Sequence, residues 1–383
     1  MKKLYTRLPM IVFLGFIGVM FVLFLVLPKK EYSSSEKRYL QQAPAVSAAA
    51  IFSQDKNSSF QTKFEKYIED HTAGRNFWVG FSAYYNLALG NNGEKGVYNG
   101  RDDYLINDPE TKENLSRNIG FMEEFAQKLD ETGVPVYVAV APSTGSVCSD
   151  KLPRFHYTYV DDQRFEVIQN GLNTAHFADI RDELKEAYAS GGQIFYRTDH
   201  HWTALGAYTA YRALSSELGY TPLERGDYKV TSYPGFFGTT YSTSGFWLTP
   251  PDDIEVWDNL SNDGSVKVAI TDGDELIEQD DMFFYDHLGE DDKYPVYLDG
   301  NHPYTVIKNP KASSSEKLMV IKDSFAHSLT PFLADHYSEI IMVDLRYFGN
   351  PLSEIIASEG IDRVLILYSI DNLTSDDNIA KLE

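Results

Sequence analysis

Apolar residues run together at the start of the chain: Leu8 to Pro28 is almost wholly apolar and uncharged. About twenty such residues cross a bilayer core as one helix. Lys2, Lys3 and Arg7 precede the run and Lys29 and Lys30 close it, with no small-x-small cleavage site after it. Residues 1–30 are therefore predicted to be a cytoplasmic stub and an uncleaved transmembrane signal anchor, with everything beyond it extracellular. The pattern then lapses. Residues 31–60 are Ser-, Ala- and Gln-rich and predict a tether, in which Glu36-Lys37-Arg38 reads as solvated charge.

From residue 61 to 383 helical and strand patterns alternate. Phe64, Tyr67 and Ile68 share a helical face, and Gly74-Arg75-Asn76 breaks that helix from a second one through Tyr85, Leu87 and Leu89. Leu115, Ile119, Met122, Phe125 and Leu129 fall three or four apart, the spacing of an amphipathic helix. Val134 to Ala141 is a continuous apolar run, as in a strand buried on both faces. It ends in Pro142-Ser143-Thr144-Gly145, where open α/β sheets place ligands, so Ser143 is a cleft candidate. Further strands are predicted at Gln193–Arg197, Leu318–Ile321, Ile340–Val343 and Val364–Leu367, with helices between them, notably Thr203–Leu218. This order predicts an α/β fold with a parallel sheet and helices on both faces. Residues 219–310 interrupt the rhythm. They are rich in Gly, Asp, Thr, Ser and Tyr, with short alternating runs at Ile254–Trp257, Val266–Ile270 and Met282–Tyr285, and predict a cleft-shaping β and loop insertion.

Composition narrows the function classes. With 56 acidic and 34 basic residues the formal charge is −22, which phosphate backbones repel, so nucleic acid is excluded as a partner. The single cysteine, Cys148, excludes an internal disulfide and any thiolate zinc cluster. The 26 Tyr and 23 Phe exceed what a core alone needs and suit a carbohydrate-binding cleft.

The candidate chemistry lies in Thr198-Asp199-His200-His201-Trp202-Thr203. On an extended segment Asp199 and His201 point to one side, so the acid can orient the imidazole, while His200 points away. An oriented imidazole serves a nucleophile, and Lys322-Asp323-Ser324-Phe325, between a predicted strand and helix, supplies a hydroxyl. Amides at that helix start, of Ser324 or Phe325, are candidate oxyanion donors. Trp202 is expected to pack under the imidazole. Asp199, His200 and His201 could also be read as metal ligands, but adjacent strand side chains diverge and no His-x3-His helix accompanies them. No metal and no cofactor are predicted.

At these residues the chain resembles the bacterial DHHW family and the SGNH-hydrolase-like proteins typified by the alginate O-acetylation proteins. Thr198-Asp199-His200-His201-Trp202-Thr203 is similar to their Thr-Asp-x-His-Trp-Thr signature. Glu36-Lys37-Arg38-Tyr39-Leu40, the run Phe64 to Asp70 with Arg75, Gly96-Val97-Tyr98 with Tyr104-Leu105-Ile106, and Val320 to Phe325 look alike in the same order. The resemblance implies a flavodoxin-like SGNH sheet, with Ser324 as nucleophile, His201 as base and Asp199 as its partner. It implies acyl ester chemistry on an extracellular polysaccharide. The nucleophile motif departs from the Gly-Asp-Ser of ordinary SGNH esterases, and Asn301 of Gly300-Asn301-His302 is the candidate second oxyanion donor. The expected function is O-acetyl transfer to a cell-envelope polysaccharide or exopolysaccharide by a protein anchored in the cell membrane. A transferase with a single span requires a membrane-embedded partner to export the acetyl group; a polysaccharide O-acetyl esterase requires none. A non-catalytic glycan-binding or assembly factor on the same fold is the third reading, against which the presence of Asp199, His201 and Ser324 together counts.

Overall fold

The computed structural model describes residues 2–53, 59–261 and 264–382. Residue 1 of the expected stub, 54–58 of the expected tether, 262–263 of the expected insertion and residue 383 lie outside the described residues. The chain divides into two compact units, residues 1–91 with 242–247, and 92–241 with 248–383.

In the first unit, α1 (Lys2–Val26) contains the apolar run, and Arg7–Val26 is long and apolar enough to cross a membrane. Two further helices follow, α2 (Phe60–His71) and α3 (Arg75–Ala88), separated at Gly74, whose φ of +68° a residue with a Cβ rarely adopts. The reading of residues 36–38 as solvated charge is corrected. Glu36 accepts from Arg38 Nε (2.9 Å) and from Arg75 Nε and Nη2 (2.7 and 2.8 Å), and Asp70 accepts from Arg38 Nη1 (3.1 Å) and the Gln41 amide (2.7 Å). The Asp70 side chain is 1% exposed and that of Glu36 6%, and carboxylates so buried persist only when paired. The first part of the expected tether is thus clamped to α2 and α3. On α3 and its C-terminal cap, Phe77, Phe81, Tyr85 and Leu89 recur every four residues and are all exposed.

The second unit is built on an eight-stranded sheet. In chain order its strands are β1 (Val136–Ala141), β2 (His176–Ala178), β3 (Lys267–Asp272), β4 (Glu275–Gln279), β5 (Tyr304–Lys308), β6 (Lys317–Lys322), β7 (Glu339–Val343) and β8 (Arg363–Ser369). Across the sheet they run β4-β3-β5-β7-β6-β8-β1-β2. The stretch from β7 to β2 is parallel throughout; β5, β3 and β4 extend it antiparallel. Helices cover both faces. Leu318, Val320, Leu365 and Leu367 point to the side of α5 (Ala204–Leu218), packing in one cluster with its Ala207, Tyr211 and Leu214. Their neighbours Met319, Ile321, Val364 and Ile366 pack with Ile119, Met122 and Phe125 of α4 (Leu115–Asp130) on the other. Two-sided burial is why these strands read as unbroken apolar runs.

The region 219–310 supplies β3, β4 and β5 to the main sheet, and an antiparallel ribbon of Tyr228–Phe236 with Asp252–Asn259 beside it. Two predicted strands are corrected. Residues Met282–Tyr285 make a single bridge, Phe283 with Tyr297, before a short helical turn. Residues 193–197 are no sheet strand either: the segment turns back on itself, with Phe195 bridged to Trp202, Tyr196 N donating to His201 O (3.2 Å) and Thr203 N to Ile194 O (2.8 Å).

Candidate active site

Strand β6 delivers Ser324. The apolar run ends at Lys322, and Asp323 then fixes the turn into the next helix, α6 (Ala326–Leu333). Asp323 Oδ1 accepts from the Phe325 amide (2.9 Å), and Oδ2 accepts from Ser369 N, Ser369 Oγ and Asn372 Nδ2 (each 2.8 Å) at the end of β8. The last three of these bonds tie the Ser324 turn to the carboxyl end of the adjacent strand. Behind it, buried Lys322 Nζ lies 2.6 Å from His327 Nε2 and 3.1 Å from Asp344 Oδ2. Burial lowers the Lys322 pKa to about 8, with the Asp344 charge opposing the fall.

Asp199 and His201 meet through a tight turn and not through the alternation of an extended strand. Asp199 Oδ1 accepts both the His201 amide (2.9 Å) and His201 Nδ1 (2.5 Å), a local side-chain-to-backbone closure two residues on, of the kind Asp favours. The second oxygen accepts Thr239 N (2.6 Å) and Thr239 Oγ1 (3.0 Å). Gly238 lets that loop approach: a Cβ there would lie 2.1 Å from Asp199 Cβ. Asp252 holds the turn from beneath, accepting Thr198 N (2.8 Å), Thr198 Oγ1 (2.7 Å) and Arg197 Nε (3.1 Å).

Across 123 positions of sequence, His201 Nε2 lies 2.6 Å from Ser324 Oγ. Because a carboxylate oxygen faces Nδ1, that nitrogen carries the ring proton and Nε2 is left to accept from the serine hydroxyl. Asp199, His201 and Ser324 are all buried, at 1%, 4% and 8% exposed. The ring under the imidazole is Tyr294, stacked at 4.0 Å and 11°, with its hydroxyl donating to Ser324 O (3.2 Å). Trp202, expected in that place, packs instead edge-on against Phe325 and donates from Nε1 to Phe325 O (3.1 Å) and Ser328 Oγ (2.9 Å).

The other predicted residues divide. The Phe325 amide is committed to Asp323, which corrects its reading as an oxyanion donor; the ring lines a cavity of about 230 Å³ together with Ser143, His200 and Thr240. Ser143 donates from both N and Oγ to Asp161 (2.8 Å each). Asn301 lies elsewhere, exposed and accepting from Arg346 Nη2 (2.9 Å). Ligand atoms of Asp199, His200 and His201 lie within 4.8 Å of one another. Both nitrogens of His201 and both oxygens of Asp199 are committed to other hydrogen bonds, and His200 Nδ1 bonds Thr239 Oγ1 (2.6 Å), so the donor set fits a metal poorly. Tyr294, Thr239, Asp252 and Gly238 were not legible in the sequence, because each sits in the 219–310 region without a motif around it.

The sheet is that of an SGNH-hydrolase-like α/β fold. Residues 179–343 match the family model of DHHW proteins, and residues 98–234 that of the SGNH hydrolase-like domain of the acetyltransferase AlgX. The chain is 27% identical to the probable alginate O-acetylase AlgJ of Pseudomonas aeruginosa over 197 residues, 48% of each chain. With the protein of the same name from Pseudomonas putida it is 27% identical over 175 residues, 44% of each. The chain thus spans about half the length of these curated relatives. Among solved structures, a DHHW family protein from Eubacterium siraeum superposes with a TM-score of 0.62 at 22% identity, covering 74% of this chain and 93% of that one. Bacillus cereus PatB1 with a sulfonyl adduct gives 0.64 at 22%, covering 74% and 97%. These likenesses show the fold.

Proposed function

We propose that this protein is a membrane-anchored, outward-facing O-acetyltransferase of a cell-envelope polysaccharide or exopolysaccharide, working through Ser324, His201 and Asp199. The observation that carries the reading is the 2.6 Å approach of His201 Nε2 to Ser324 Oγ, with Asp199 on the far side of the ring. Ser324 Oγ attacks an acetyl ester and passes its proton to His201 Nε2; the donor's leaving oxygen takes that proton as its bond to the acetyl carbon breaks. The Ser324 amide, at the start of a helix, is the available donor toward the oxyanion. In the second half an acceptor hydroxyl gives its proton to His201, bonds the acetyl carbon and frees Ser324. Water in place of that hydroxyl gives the esterase reaction; the cavity beside Phe325, walled by polar side chains, supports a bound acceptor instead. The acetyl donor reaches the outer face through a membrane-embedded partner, and the N-terminal span holds the domain there.

The test is intact-mass analysis of the detergent-solubilised chain after treatment with a fluorophosphonate. One adduct on the wild type and none on Ser324→Ala or His201→Ala is expected. A folded wild type that takes no adduct sinks the proposal.

A further inference from the structure

The cavity beside Phe325 lies in the crevice at the carboxyl edge of the parallel strands. Its walls come from the loop after β1 (Pro142 to Gly145), the turn after β8 (Ser369 to Asn372), and His200, Thr240 and Phe325. Phe325 follows Ser324 directly, and the His200 ring lies 3.9 Å from that of His201. At about 230 Å³ it falls below the roughly 300–1,000 Å³ of drug-sized ligand pockets, and so takes a single ring rather than a length of chain. Thr144, Thr240 and Asn107 offer hydroxyl and amide groups, and Tyr159 and Phe325 offer ring faces, the mixture that recognises a sugar.

No Lys or Arg side chain lines this cavity; its ionisable groups are His200, Asp371 and Glu110, whose Oε1 accepts the Thr111 and Lys112 amides (2.7 and 2.8 Å). Asp161 stands directly behind Ser143. The nearby cation, Arg164, donates to the Glu110 carbonyl (2.6 Å) and lies 3.4 Å from Glu113, so part of its charge is already answered. Burial, then repulsion from Asp161, raises the Asp371 pKa to about 7 despite Arg164.

We propose that the acyl acceptor of this site is an uncharged sugar residue, a hexose or N-acetylhexosamine, and not a uronate. A carboxylate on the acceptor ring would enter a confined space beside the Glu110 charge, with no lining Lys or Arg to bind it. Carboxylates accept hydrogen bonds from neutral sugar hydroxyls without that penalty. The assignment rests on the acetyl-Ser324 reading above. It separates this chain from a polyuronate-modifying enzyme of similar sheet and triad.

The experiment uses the full chain in detergent, p-nitrophenyl acetate as acetyl donor, and two acceptors of equal length, a neutral N-acetylglucosamine oligomer and an oligomannuronate. Acetylated product is read by mass spectrometry at low and high salt. The neutral oligomer is expected to be acetylated at least tenfold faster at low salt, with added salt raising only the uronate rate. Glu110→Gln combined with Asp371→Asn should narrow the ratio toward one. Equal or faster acetylation of the oligomannuronate at low salt overturns the assignment, as does a p-nitrophenolate burst with no neutral acceptor acetylated. Absence of the burst removes the acyl-enzyme itself, a different failure and recognisable as such.

Discussion

Asp199 is the residue around which the site is set. Its four hydrogen bonds fix the His201 ring and the Thr239 loop at once. Asp199→Asn removes the charge opposite Nδ1 and can turn the ring to the wrong tautomer, so fluorophosphonate labelling should slow by on the order of 10³–10⁴. Tyr294 acts on the same ring from its face. Tyr294→Phe keeps the stack and loses the hydroxyl's bonds to Ser324 O and Ser328 Oγ (3.4 Å), a change of about 1–2 kcal/mol in stability with labelling nearly intact. Tyr294→Ala should slow labelling far more than Phe does; equal effects would show that the stack contributes nothing. The sequence carried Asp199, His201 and Ser324 because a short local motif and a strand-to-helix turn announce themselves. Tyr294 and Thr239 touch the site from a region with no periodic pattern, and only the folded chain brings them there.

Among the elements, the helix and strand patterns from Leu115 to Leu129, Val134 to Ala141 and Leu318 to Leu367 were readable, since burial on one stripe or on two faces leaves a regular trace. The strand expected at residues 193–197 was not there: aromatic and β-branched residues suited a strand, but Trp202 closes the segment on itself. The antiparallel β5 and β4 escaped notice because half-exposed short strands alternate too briefly to register. One helix also carries a stability device. Glu123 on α4 accepts the amides of Asn173 (3.0 Å), Thr174 (2.9 Å) and Ala175 (3.3 Å), the lead-in to β2. Burial alone would raise its pKa, but the hydrogen bonds outweigh burial and hold it at about 2 against an ordinary 4.5. A depressed carboxylate stabilises the fold above its unfolded value, so this contribution is complete above pH 4.5 and fades as the pH falls toward 2. Glu123→Gln should cost about 1–3 kcal/mol in a urea melt at pH 7, with the deficit shrinking on acidification over that interval.

At the scale of the whole molecule, the proposed orientation puts the apolar helix in the membrane and the α/β unit outside it. Alkaline phosphatase fused to the C-terminus should be active in cells, and a cytoplasmic reporter at the same place silent; the reverse pattern would contradict the proposed orientation. Strand order adds something else. Strand β8, residues 363–369, follows the other described strands of the sheet in the chain, and it lies between β6 and β1. The acid–imidazole pair closes within a few residues as soon as its turn is synthesised. The serine turn, in contrast, takes three of its Asp323 bonds from Ser369 and Asn372. Until β8 arrives, the two halves of the sheet have no shared strand and the hydroxyl no fixed aim. A chain stopped at residue 360 should therefore take no fluorophosphonate. The nascent domain stays chemically silent through its synthesis, and arms itself only when β8 slots into the middle.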